Sequence, residues 1–148
     1  MRRFPTGVAV VTVDVEGERL GLTVGSLVSL SLEPPLVGVA ISRHAALHEL
    51  LRAGGAFAAS LLGAAQDGLA QHFARGVPPI ALWHGIASRP GPATGAPLLD
   101  GALGWLECRL AAEHPAGDHT LFVGEVVETE LGAAGAPLIH HGGDFAAV

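Results

Sequence analysis

The strongest constraint on the fold lies in the first 41 residues, where strand-length apolar runs follow one another with little between them. Val8–Val13 (VAVVTV) is a β-branched run and reads as a strand. Glu16-Gly17 supplies a turn, and Arg19–Val24 reads as the returning strand of a hairpin. Ser26–Leu32 alternates apolar residues with serines until Glu33-Pro34-Pro35 stops it. The two prolines fix φ twice and force an extended chain into Leu36–Ile41, a continuous apolar run of the kind buried on both faces. Hairpin connections of this sort build antiparallel sheet.

The remaining chain adds helices without changing that picture. Ala45–Ala53 is helical, with Leu47, Leu50 and Leu51 at helix spacing, and Gly54-Gly55 ends it. Phe57–Leu62 reads as a strand, and Gln66–Phe73 as a helix with Leu69, Ala70 and Phe73 on one face. Arg75–Pro97 is rich in Pro and Gly and is expected to be a long loop. Gly104–Glu113 and Thr120–Thr129 form two long strands joined by a turn at Pro115–Asp118, and Pro137–Ile139 opens a short final strand. The pattern predicts a single domain over residues 1–148, mainly β: a closed antiparallel barrel with short helical insertions.

Absences narrow the chemistry. The eight basic residues are all arginine, which excludes a Walker A phosphate loop and a lysine Schiff base. Without a tyrosine there is no Tyr/Lys dehydrogenase pair, and there is neither a G-x-G-x-x-G loop nor a G-x-S-x-G elbow. One cysteine, Cys108, rules out an internal disulfide and multi-cysteine metal sites. A net charge of -6 with scattered arginines argues against nucleic acid. The richest apolar region, Gly21–Ile41, is broken by polar residues and prolines, and the N-terminus lacks a leader pattern, so a cytoplasmic protein with no membrane partner is expected. The high apolar fraction of 49% fits surface buried in a partner or cofactor site, and equally a bias toward Ala and Gly.

Three clusters are candidates for chemistry. Thr23, Ser26 and Ser29 lie in a segment leaving a strand, beside Gly25. Hydroxyls there either cap a turn or bind phosphate oxygens or the polar edge of a flat ring, which Gly25 would let the backbone approach. Ser42-Arg43 follows the buried strand; Arg43 suits a phosphate by its planar fork, or simply opens a helix in solvent. Asp118-His119 sits in a turn at the mouth of a strand, where a side chain can meet a ligand. His44 and His48 at helix spacing and the adjacent His140-His141 lack the carboxylate or cysteine company a metal needs, and read as surface residues. Trp83 and Trp105 read as core or interface.

Four segments in order, Phe4–Thr12 (FPTGVAVVT), Gly21–Leu36 (GLTVGSLVSLSLEPPL), Gly117–Val126 (GDHTLFVGEV) and Pro137–Phe145 (PLIHHGGDF), resemble the flavin reductase-like family with its FMN-binding split barrel. Phe57–Leu62 followed by Leu69–Phe73 is similar to that family's central segment, so the resemblance spans nearly the whole chain. It implies an antiparallel, Greek-key-like split barrel. The activity implied is transfer of a hydride from nicotinamide C4 of NADH or NADPH to N5 of FMN or FAD, with reduced flavin passing to a separate oxygenase.

The resemblance also implies that Thr23, Val24, Ser26 and Ser29 contact the flavin ring, ribityl chain or phosphate. It implies that His119, fixed by Asp118, seats the nicotinamide, and that the chain forms a homodimer. A flavin carrier without turnover and a split-barrel oxidase are the alternatives. The chain departs from the family in starting close to Phe4 and in carrying Ser60 where an asparagine is common.

Overall fold

The computed structural model describes residues 1–148. The strands expected from the first 41 residues form: β1 (Thr6–Gly7), β2 (Ala9–Val15), β3 (Glu18–Val24), β4 (Val28–Leu32) and β5 (Pro35–Ser42). They are followed by α1 (Ala46–Gly54), β6 (Ala56–Leu61), α2 (Asp67–Ala74), α3 (Pro79–Leu82), β7 (Ser88–Pro90) and β8 (Pro97–Leu99). The chain ends with β9 (Gly104–Ala116), β10 (His119–Leu131), β11 (Leu138–His141) and β12 (Asp144–Ala147). Gly55, at φ 68, takes the left-handed conformation that stops α1, as the Gly pair predicts.

Seven strands make one antiparallel sheet in the order β3-β2-β6-β9-β10-β5-β4. Its end strands β3 and β4 do not pair with each other, so the sheet is split where the residue pattern alone predicts closure. The small sheet β1-β11-β12 brings the N-terminal segment against the C-terminal hairpin. No helix is long and apolar enough to cross a membrane.

Val10, Val11, Val39, Ile41, Phe57 and Phe122 are all fully buried, and because Val10 and Val11 are consecutive, β2 is covered on both faces. The fit is close: a Cβ on Gly124 would stand 2.7 Å from the Phe57 ring, so this crossing tolerates only glycine. Emptying the Phe57 site would cost about 3–5 kcal/mol. The helices cover the sheet through Leu47 and Leu51 of α1 and Ala70 and Phe73 of α2.

The segment Arg75–Pro97 is not the plain loop its composition predicts. It folds into α3 and the hairpin of β7 and β8. Its Pro and Gly residues make tight turns, and its order comes from anchors far away in sequence. His72 Nε2 meets the Leu82 carbonyl (2.7 Å), and Trp83 Nε1 donates to the Arg19 carbonyl (2.9 Å). The buried Glu107 carboxylate accepts from the backbone N–H groups of Ala93 and Thr94 and from the Thr94 hydroxyl (2.8–3.1 Å to its Oε1). The C-terminus likewise holds a hairpin, β11–β12, where a single short strand was expected.

Candidate functional site

A cavity of about 520 Å³ opens where β3, β5 and β10 present their ends beside β1 and β11. It brings together Thr23, Val24, Ser26, Ser42 and His119, residues scattered over almost a hundred positions. The pairing of β10 with β5, which sets His119 opposite Ser42, places these two on one rim. Val24 ends β3 on the opposite wall, and the chain leaves the sheet at Gly25.

The hydroxyls are less free than their sequence suggests. Ser26 Oγ donates to the Ala40 carbonyl (3.0 Å) and accepts the Ala40 N–H (3.1 Å). It therefore ties the β3–β4 connection to β5, where no ladder bond does so, and its one proton is committed. Thr23 Oγ1 donates to the Ala70 carbonyl (2.7 Å) and pins α2 to β3. Ser42 Oγ accepts the His44 N–H (3.2 Å), which leaves its own proton available.

His119 is set by its neighbour: its Nδ1–H donates to Asp118 Oδ1 at 2.7 Å. A carboxylate only accepts, so the proton sits on Nδ1 and Nε2 carries a lone pair. Nε2 has no partner in the protein, and the side chain is 44% exposed on the cavity wall. The hydrogen bond from His119, followed by the charges of His119 and His44, holds the Asp118 carboxyl below the usual aspartate range.

Ser29 and Arg43 stand apart from this group. Ser29 lies on β4, exposed, opposite Val37. Arg43 faces a smaller polar cavity with His48, Glu49, Arg52, Glu113 and Thr120.

The cavity holds residues that sequence reasoning missed. Arg2, Thr6 and His140 line it because β1 pairs with β11, with Thr6 opposite His140. Both segments carry family resemblance, but only their pairing shows that they share a wall. Thr6 Oγ1 is buried with no hydrogen-bond partner. No carboxylate lines the cavity, although the chain carries 14 of them and a net charge of -6. Arg2 stands in a lining without a carboxylate, which suits an anionic ligand.

His48 departs from its surface reading: it is 2% exposed, between α1 and β10. Cys108 is buried and its thiol is pushed up to about 12, chiefly by burial, so it is inert as a nucleophile. No group of three or more His, Cys, Asp or Glu residues is placed to hold a metal.

Comparison with known proteins gives one answer across sequence and structure. The flavin reductase-like domain matches residues 1–148. The reductase component of 4-hydroxyphenylacetate 3-monooxygenase from Thermus thermophilus is 44% identical over 140 residues, covering 95% of this chain and 87% of the relative. The NADH-dependent FAD reductase of Streptomyces globisporus is 40% identical over 144 residues, covering 96% and 79%. Among solved structures, the NADH:FAD oxidoreductase SgcE6 superposes with a TM-score of 0.92 at 40% identity, covering 97% of this chain and 86% of that one. BorF, the flavin reductase component of a bacterial two-component tryptophan halogenase, does so at 0.90 and 38%, covering 99% and 92%.

Proposed function

The chain belongs to the flavin reductase-like family and is an NAD(P)H:flavin oxidoreductase, and on that premise we propose that the cavity at the ends of β3, β5 and β10 is where flavin and nicotinamide meet. The observation that carries this reading is the convergence of Thr23, Val24, Ser26, Ser42 and His119 on a cavity with no carboxylate. The residues present fit an anionic, flat ligand: Arg2 stands in a lining without a carboxylate, Gly25 has no side chain and lets Thr6 pack where a Cβ would be, and Thr6 Oγ1 is a buried polar atom still in want of a partner. When bound, flavin supplies the two-electron acceptor, taking a hydride at N5 from nicotinamide C4.

The protein's own part is positioning. Val24 and Gly25 form the wall against the ring, and Ser26 holds that wall to β5 through Ala40. Ser42 and Arg2 offer donors to phosphate oxygens. His119 Nε2, an acceptor in its Asp118-fixed tautomer, takes an N–H of the nicotinamide carboxamide. No side chain has to act as nucleophile, and none in the cavity is built as one. Holding both rings in reacting geometry is the catalytic contribution.

Reduced flavin then passes to a separate oxygenase, and NAD(P)H as donor supports a cytoplasmic setting. The chain works as a homodimer through β4, an edge strand whose Val28, Leu30 and Leu32 are 47%, 48% and 88% exposed.

The test is NADH and NADPH oxidation by purified protein, with and without FMN or FAD. Turnover that requires added flavin is expected. A folded protein that binds flavin and oxidises neither nucleotide would return the chain to the carrier or oxidase readings.

A further inference from the structure

One buried side-chain polar atom of this protein has no hydrogen-bond partner: the hydroxyl oxygen of Thr6. A buried hydroxyl left unpaired lowers stability, so a native chain that keeps one calls for an explanation. The fold fixes its place. β1 is two residues long, and its pairing with β11 sets Thr6 opposite His140 on the cavity wall. Gly25 lies against it: a Cβ there would stand 2.6 Å from Thr6 Oγ1. Glycine at position 25 therefore leaves room for this hydroxyl where the chain departs from β3.

The other hydroxyls of the cavity differ. Thr23 and Ser26 spend their protons on the Ala70 and Ala40 carbonyls. Ser42 keeps its proton, but it already accepts the His44 N–H and lies partly exposed at the rim. Thr6 alone is both shielded and unspent. A hydroxyl has one donor and two lone pairs, so it can face a bare ring nitrogen or an N–H. That versatility suits a ring that gains N–H groups on reduction.

We propose that the Thr6 hydroxyl hydrogen-bonds the polar edge of the flavin ring and holds the ring at Gly25. This rests on the reading of the cavity as the place where flavin and nicotinamide meet. The flavin ring is the occupant because Thr6 packs against Gly25, in the wall assigned to that ring.

The test is equilibrium titration of the full chain with FMN and FAD, oxidised and, anaerobically, reduced. NADH is titrated alongside, and thermal unfolding is followed without ligand. Thr6→Val keeps the shape and removes the hydroxyl, Thr6→Ser keeps the hydroxyl, and Ser42→Trp fills the cavity from β5. Thr6→Val should weaken both redox forms of flavin about fivefold. Its ligand-free Tm should equal or exceed wild type, because no buried hydroxyl is left unpaired. Thr6→Ser should bind flavin as wild type does. A hydroxyl that merely held β1 in place would lower Tm and affinity together, and that outcome overturns the proposal. So does unchanged flavin affinity in Thr6→Val, as expected where water satisfies the hydroxyl, and so does a loss confined to NADH. Ser42→Trp separates the two readings. If it abolishes flavin binding while Thr6→Val leaves it intact, the cavity reading stands and the Thr6 contact falls. If flavin affinity survives Ser42→Trp, both fall.

Discussion

Two histidines of this protein carry the same local device in opposite surroundings. His48 Nδ1 meets Glu49 Oε1 at 2.8 Å, and His119 Nδ1 meets Asp118 Oδ1 at 2.7 Å. In each, a carboxylate one residue away fixes the tautomer and leaves Nε2 as an acceptor. His48 is buried, and its Nε2 takes the Thr120 hydroxyl at 2.8 Å. His119 is half exposed, and its Nε2 points to no partner. Thr120 and His119 are consecutive on β10, so their side chains lie on opposite faces of the same strand. A ring whose hydrogen bonds are complete holds structure; a ring with one acceptor open toward a cavity is available to a ligand.

The largest expected effect breaks the buried member. His48→Ala removes a ring packed 5.2 Å from Phe122 and leaves the Thr120 hydroxyl unpaired. It should cost about 3 kcal/mol, read from urea unfolding. At a temperature where the variant is folded, its KM for NADH should match wild type. A large KM change with intact stability would erase the distinction between the two rings.

His119→Ala is the mirror experiment. It should raise the KM for NADH about tenfold or more through the lost carboxamide contact, with unfolding and flavin affinity unchanged. Normal NADH kinetics would remove His119 from the nicotinamide seat.

Ser26 extends the comparison to the opposite wall. Its hydroxyl is as fully spent as the His48 ring, with both of its bonds on Ala40. Ser26→Ala should cost about 1 kcal/mol of stability, because the Ala40 N–H and carbonyl lose their partner. Flavin affinity should then fall only as far as the wall loosens. A variant of unchanged stability with strongly weakened flavin binding would make Ser26 a direct ligand instead.

These contrasts explain what could be read from the chain and what could not. The strands up to Ile41 were legible because β-branched runs, alternation and hairpin turns are local signals. The open edge between β3 and β4 was not, because closure depends on which ends meet. The order of Arg75–Pro97 was hidden because Glu107, His72 and Trp83 supply it from outside the segment or through the backbone. For the site, the motifs indicated Thr23, Val24, Ser26, Ser42 and His119 as residue types. They could not say that the Ser26 proton is used up, or that Arg2, Thr6 and His140 join the wall through β1 and β11. His48 looked like a surface histidine because its partner Thr120 is 72 residues away.

The smallest effect tests the carboxylate itself. Asp118 and His119 are 80% and 44% exposed, so solvent screens their attraction, and the pair acts by orientation more than by energy. The Asp118 carboxyl is held below the usual aspartate value by the hydrogen bond from His119. A depressed carboxyl keeps its contribution above its unfolded pKa and loses it as pH falls through the lower folded value. Asp118 therefore stays charged at neutral pH, where it accepts the Nδ1–H of His119. Asp118→Asn keeps an acceptor but loses the charge and can present a donor instead. It should raise the KM for NADH by about threefold, with kcat and stability near wild type. The same factor should persist from about pH 7 to about pH 8, because wild-type Asp118 is charged throughout that window. An unchanged KM in that window would mean that the carboxylate does nothing His119 needs. The ring would then take its orientation from β10 alone.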